Sequence, residues 1–354
     1  MYPFIFNNVY KDYIWGGRNL EEFGKKLPAG IVAESWEVSC HPDGLSTVIN
    51  GPLTGRTLAE LVNQYPKEII GYTLTGRFNN VFPLLIKFID AKNKLSVQVH
   101  PDDDYALKHE NENGKNEIWY ILSAQPGSGL IYDVKKNIEP GLFKSKLLKG
   151  ELEDCLNFVK VETGNVIYIP AGLIHAIGEG IVLLEIQQNS NSTYRVYDYN
   201  RLGNDGKPRP LHIDKAMDVI DFNNAGRRAV YTGLNINGNG FNKKILAASS
   251  FFCVELWEIN FCAMLPDRSD RFYILTCLDG SCDVVWKDTC VKIEKGMSCL
   301  VPAICNQTFI KGTCTCMVSY LPLTRNEIIT PLIEAGYDQK EIYNEIPGLL
   351  DFKI

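Results

Sequence analysis

Four residues offer ligand atoms for one metal ion. Gln98 and His100 lie in Leu95-Ser-Val-Gln-Val-His-Pro101, Glu117 opens the run Glu117-Ile-Trp-Tyr-Ile-Leu122, and His175 follows the turn Pro170-Ala-Gly172. In an extended chain residues two apart share a face, so Ser96, Gln98 and His100 line one side and Val97 and Val99 the other. Lys115 shares a face with Glu117 by the same rule. A polar face inside a β-domain needs a partner to offset its burial, and a metal ion is one such partner. Two imidazole nitrogens with an amide and a carboxylate oxygen suit zinc or another borderline divalent ion better than calcium or magnesium. With one carboxylate in the set, the ion keeps net positive charge and can stabilise a developing oxyanion. Singly, each residue is bland: a lone histidine after a glycine turn is usually just hydrogen-bonded, and Glu117 alone reads as a solvated strand start. The joint pattern carries the reading. His41, His109 and His212 have no partner pattern and are given no metal role.

A second group follows. Glu185 ends the strand Val182 to Ile186, and the polar segment Gln187-Gln-Asn-Ser-Asn-Ser-Thr-Tyr-Arg195 leads on to Arg201. A buried carboxylate beside a metal can take or give a proton. An arginine presents a fork that fits phosphate or carboxylate. The same stretch also reads as a loop held by structural hydrogen bonds with an Arg–Asp pair at Asp198, and the residue pattern leaves both open.

The elements that must position these groups are mostly strands. Short runs rich in Val, Ile, Phe, Tyr and Trp recur between Gly, Pro, Asn and Asp: Phe82 to Ile89, Leu95 to Val99, Ile118 to Leu122, Val166 to Ile169, Val182 to Ile186, Phe272 to Cys277 and Cys282 to Trp286. Many strands and few helical periods predict a mainly β sandwich or barrel class. Helical spacing appears at Thr57 to Tyr65, with Thr57 as cap, and across Arg325 to Glu341. An internal repeat matches Gly164-Asn-Val-Ile-Tyr-Ile-Pro-Ala171 to Gly296-Met-Ser-Cys-Leu-Val-Pro-Ala303, with Glu117 to Leu122 and Asp270 to Leu275 upstream. The first copy holds about 21 more residues between its motifs, as an inserted loop would. Two related β-domains, 1–230 and 231–354, are therefore expected, with the boundary near Asn223 to Asn242, a stretch that contains the polar run Gly233 to Asn242. The second copy has Gln307 where the first has His175, so it is expected to be metal-free.

At this point the residues resemble type I phosphomannose isomerase, a zinc-dependent cupin family. The resemblance rests on Tyr13-Ile-Trp-Gly16, Glu34-Ser-Trp36 with His41-Pro42, and Pro83-Leu-Leu-Ile-Lys87 leading into Gln98-Val-His100-Pro101. It continues through Gly114-Lys-Asn-Glu-Ile-Trp119, Ile169-Pro-Ala-Gly172 with His175-Ala176, and Glu185 through Asn189 to Arg195. It spans roughly residues 10 to 201, and the length is similar to that of the short bacterial form. It implies two cupin-type jelly-roll β-barrels with a few accessory helices. It also implies one zinc ion on Gln98, His100, Glu117 and His175, interconverting mannose 6-phosphate and fructose 6-phosphate through an enediol. Arg195, Lys115 and Glu185 match catalytic positions; Ser96, Asn191 and Arg201 match substrate-binding ones. The chain departs from the family with Ile177 where longer members often have Tyr, with Asn191 where an Asp is common, and with Arg201 where some carry Lys. The alternative of another class is a non-catalytic sugar-binding or regulatory cupin that keeps its metal.

Composition sets the frame. The chain has 354 residues, 45% apolar and 22% charged, enough to bury a large core without staples. A net charge of -6 argues against nucleic acid or anionic membrane as partner, while leaving room for a local basic pocket. The N-terminus lacks a basic start followed by an apolar core, so a cytoplasmic monomer or small homo-oligomer is expected, with its 11 cysteines reduced. Nine of those cysteines fall between Cys253 and Cys316, where a thiol reads as a small hydrophobe.

Overall fold

The computed structural model describes residues 1–352 except 79, 204, 205, 239, 267 and 268. The fold is mainly β and arranged around three antiparallel sheets. The first sheet has five strands in the spatial order Tyr194–Tyr197, Val97–Val99, His175–Ile177, Gly129–Val134 and Leu156–Lys160. The second has seven, running Val230–Tyr231, Val166–Ile169, Glu117–Ala124, Ile181–Gln188, Leu84–Ala91, Glu34–Val38 and Val9–Lys11. Their facing sides enclose one core, in which Ile89, Trp119, Ile121, Ile169 and Leu183 meet Leu130, Tyr132 and Ile177. The outer face of the five-stranded sheet is closed by helices Pro140–Leu148 and Ile213–Val219, through Phe143, Leu147 and Ala216 against Val97, Val99 and Val196. Val97 and Val99 thus face outward onto the helices, as the alternation predicts, and Gln98 is turned inward.

The seven-stranded sheet is a middle layer. Leu84–Ala91 and Ile181–Gln188 are buried at every residue, the pattern of strands covered on both faces. Behind them, Ile86, Phe88, Leu184 and Ile186 pack with Phe252, Val254, Phe272, Ile274, Leu300 and Met317 of the C-terminal half. That half is a nine-stranded sheet curled around its own core of Trp257, Leu275, Val284, Ile293 and Val318. The chain passes from one unit to the other between Val230–Tyr231 and Leu234–Asn237. One short strand crosses the division: Phe4–Ile5 pairs with Ser298–Val301, setting Phe4 opposite Leu300.

Helix Leu58–Gln64 begins with the expected cap, in which the Thr57 hydroxyl accepts from Glu60 N–H and the Glu60 carboxylate accepts from Thr57 N–H. Three expectations change. The helix foreseen over Arg325 to Glu341 is two helices, Asn326–Glu334 and Gln339–Glu345, because Gly336 turns the chain through a left-handed conformation. The two strands expected at Phe272 to Cys277 and Cys282 to Trp286 are one strand, Tyr273–Trp286, which carries a register shift between Cys277 and Asp279 instead of ending there. The repeat holds, but its upstream strand is displaced by three residues. Ile169 pairs with Glu117, and the matching Val301 pairs with Tyr273, so Glu117 corresponds to Tyr273 and not to Asp270.

Candidate metal centre and active site

Sheet register brings the site together. In the five-stranded sheet Gln98 lies opposite His175 on one side and Arg195 on the other. The facing sheet supplies Glu117 opposite Gln187, and in the next layer of pairs Glu185 lies between Trp119 and Lys87. His100 Nε2 is 3.6 Å and His175 Nε2 3.4 Å from Glu117 Oε1, and the Gln98 amide nitrogen is 3.4 Å from His175 Nε2. Each imidazole is oriented from behind: His100 Nδ1 lies 2.9 Å from the Ser192 carbonyl and His175 Nδ1 2.9 Å from the Leu173 carbonyl. Donation from Nδ1 fixes the tautomer and leaves the Nε2 lone pairs pointing inward.

The electrostatics favour a cation there. Burial keeps both histidines neutral: it lowers His100 to about 3, helped by Lys115, and lowers His175 as well. Burial alone would raise Glu117, but Lys115 and His100 hold it well below the usual carboxylate range, so it is charged. Both Glu117 oxygens are buried without a hydrogen-bond partner, although Lys115 Nζ is 3.1 Å from Oε2. A buried carboxylate with spare lone pairs beside two neutral imidazole nitrogens and an amide is a donor set a divalent ion fits.

Above this floor opens a cavity of about 260 Å³. Gln98, Ser96, Lys115, Glu185, Asn191 and Arg195 all line it, so the structure gathers most of the residues the sequence singled out. Trp119 Nε1 donates to Glu185 Oε1 at 2.9 Å, and Lys87 Nζ lies 3.2 Å from Oε2. Burial and the nearby Glu117 push Glu185 up to about 7, against the pull of Lys87. Arg195 donates to the Pro210 carbonyl, while its Nε is buried with no partner. Asn191 donates to Asp43 at 2.7 Å. Arg201 does not line the cavity; its guanidinium is taken up by the Lys94 and Asp198 carbonyls and the Asp198 carboxylate.

Sequence reasoning missed Tyr13, Glu34, Lys87 and Arg209, all in the cavity wall. A signal existed for Lys87, the one cation in a strand that is otherwise apolar over its first six residues, Leu84 to Ile89. Glu34 accepts from Trp36 Nε1 at 2.7 Å and lies 3.8 Å from Lys87 Nζ. Arg209 lines the wall with its guanidinium held by Asp198, which it shares with Arg201, and no local pattern betrays that. Glu112 was also missed. Its Oε2 accepts from Ser190 Oγ, Asn191 N and Ser192 Oγ, and its Oε1 is 3.1 Å from His41 Nε2, so it clamps the loop whose Ser192 carbonyl orients His100.

Comparison with known proteins agrees with this geometry. Residues 4–120 match the model of the phosphomannose isomerase type I catalytic domain, and 242–321 that of the mannose-6-phosphate isomerase cupin domain. The chain is 38% identical over 322 residues to the probable mannose-6-phosphate isomerase GmuF of Bacillus subtilis, covering 90% of this chain and 99% of that one. It is 40% identical over 259 residues to the mannose-6-phosphate isomerase of Streptococcus mutans, covering 73% and 79%. The crystal structure of the Bacillus subtilis mannose 6-phosphate isomerase superposes with a TM-score of 0.82 at 35% identity, over 90% of this chain and 99% of that one. With sequence, fold and the His/Glu/His centre in agreement, the chain belongs to the type I phosphomannose isomerase family, the family of the mannose-6-phosphate isomerases.

Proposed function

We propose that the protein, an isomerase of this family, interconverts mannose 6-phosphate and fructose 6-phosphate with one zinc ion held by Gln98, His100, Glu117 and His175. The observation that carries the reading is the wholly buried Glu117, charged beside Lys115 but with no hydrogen bond to either oxygen, facing two neutral imidazoles at the floor of a cation-rich cavity. Two nitrogen donors with oxygen donors favour zinc over a hard ion. When bound, the ion supplies Lewis-acid stabilisation of charge developing on the sugar oxygens.

The chain's own residues do the rest. Arg195, with its free Nε, gives the cavity wall a fork for a phosphate, and Arg209, whose own fork is held by Asp198, adds charge. Glu185, its pKa pushed up to about 7 by burial, removes the proton from C2 of the open-chain aldose and leaves an enediolate; the O2 proton passes to O1 through the enediol, and Glu185 returns its proton to C1. Trp119 and Lys87 fix the orientation of that carboxylate. Lys115, beside Glu117, is placed to steady negative charge on the substrate oxygens. Ser96 and Asn191 shape the cavity wall. In this reading the enzyme works in the cytoplasm, as a monomer or small homo-oligomer with a sugar phosphate as partner; its 11 free thiols suit a reducing compartment.

A coupled assay with mannose 6-phosphate tests this, before chelation, after it, and after adding zinc back. Activity that is lost to the chelator and restored by zinc supports the reading. Full activity in metal-free protein would sink it.

A further inference from the structure

The C-terminal barrel carries a second constellation that the isomerase reading does not use. Cys282, Cys314 and Cys316 are buried, with their sulfurs all within 4.8 Å of one another. The Cys314 and Cys316 sulfurs are 3.6 Å apart. Cys277 stands directly opposite Cys316 in the sheet register, but its thiol is engaged by the Asp279 carbonyl at 3.4 Å and the Gly280 carbonyl at 3.6 Å. Two of these cysteines come from strand Tyr273–Trp286 and two from its neighbour Phe309–Tyr320. We propose that this cluster is a thiolate metal site, in which Cys282, Cys314 and Cys316 take a zinc-class soft divalent ion.

Three observations support it. A tetrahedral ion with metal–sulfur bonds of about 2.3 Å requires sulfurs roughly 3.8 Å apart, close to the separation already present. Three clustered sulfur donors select zinc or another thiophilic ion over oxygen-preferring ions. Backbone glycines allow the approach: a Cβ at Gly280 would meet the Thr313 carbonyl at 2.3 Å, and one at Gly312 would meet Cys282 Cα at 2.9 Å. Gly280 and Gly312 both have positive φ, and each sits next to the cluster. Simple packing accounts for none of this, since valine would fill the same core without gathering sulfur at one place.

The site lies where strand Tyr273–Trp286 shifts register between Cys277 and Asp279. An ion there cross-links that irregularity to the neighbouring strand. The role is structural, and it revises the expectation that the second barrel is metal-free.

The test uses His175→Ala protein, in which the histidine centre is disabled, and titrates it with Co²⁺ under reducing, anaerobic conditions. The expected result is an intense near-ultraviolet thiolate-to-cobalt charge-transfer band saturating at one ion per chain. The Cys282→Ser/Cys316→Ser variant in the same background loses it. Wild-type protein needs no cysteine change to serve as a second check: it should hold two zinc ions per chain, one of which remains in the His175→Ala protein. The proposal is overturned if no charge-transfer band forms and His175→Ala protein is zinc-free. It is equally overturned if thiol titration of the unfolded protein shows two of the three cysteines tied up in a disulfide.

Discussion

The two barrels repeat the same strand pairing, Glu117–Tyr120 against Val166–Ile169 and Tyr273–Thr276 against Ser298–Val301, yet their interiors hold opposite chemistry. The first gathers imidazole, carboxylate, amide and ammonium groups below an open cavity. The second gathers thiols in a closed apolar core. Hard and borderline donors beside a cavity leave room for a substrate; soft donors shut inside a core serve the fold alone. The architecture is indifferent to the choice, and the inward-facing residues of a few strands make it.

The contrast can be broken at its strongest point first. His175→Ala should lower kcat/KM by more than about 1,000-fold, the several kcal/mol a catalytic metal contributes. The protein should stay folded and any thiol-bound metal should stay in place, as metal analysis and circular dichroism would show. Equal loss of both metals would mean the barrels are not independent.

The seam between the barrels comes next. Lys25 and Glu37 form a buried pair at 2.6 Å, and Lys25 also donates to the Gly296 carbonyl of the second barrel. Lys25→Ala strands the Glu37 charge and should cost about 3–5 kcal/mol of stability, read by denaturant unfolding. Lys25→Met with Glu37→Gln removes both charges and should restore most of it.

Within the first barrel, Arg195→Lys keeps the charge but loses the fork. It should lower kcat/KM about 10- to 100-fold, the range set by a charged hydrogen bond, with metal content unchanged. A variant with normal kinetics would remove Arg195 from the site.

Glu112→Gln gives the smallest effect. By loosening the loop that orients His100 it should weaken metal affinity roughly 10-fold. It also has a pH signature. The His41 hydrogen bond first, then those from Ser192 and Asn191, hold Glu112 down to about 2 in the folded protein against 4.5 ordinarily. A depressed carboxyl pKa contributes stability in full above pH 4.5 and loses it as pH falls through about 2. Over that window the melting temperature of wild type should fall more steeply than that of Glu112→Gln.

The sequence made the fold class and the centre legible because both depend on local spacing. The alternation Gln98-Val-His100 and the turn before His175 put three candidate donors on view within short motifs. Glu117 was readable only in company. What stayed hidden depends on distant chain segments meeting. Arg209 stands in the cavity wall with its guanidinium held by Asp198, and Glu112 matters through three hydrogen bonds to residues 78–80 positions away. The thiol cluster was hidden for a related reason: no CxxC spacing marks it, and only the register of two long strands makes neighbours of Cys277 and Cys316. Single-sequence matching also misplaced the strand equivalence by three residues, since apolar runs slide past one another until a partner strand fixes them.

The strand Phe4–Ile5 has a consequence for synthesis. Its partners, Leu300 and Cys299, leave the ribosome about 300 residues after it. At roughly 5–20 residues per second the N-terminal segment waits tens of seconds for them. During that time the apolar back of the middle sheet, Ile86, Phe88, Leu184 and Ile186, also lacks its cover. A nascent chain stalled before residue 300 therefore exposes a broad sticky face, which makes it a client for chaperones and leaves little prospect that the catalytic half can be expressed alone.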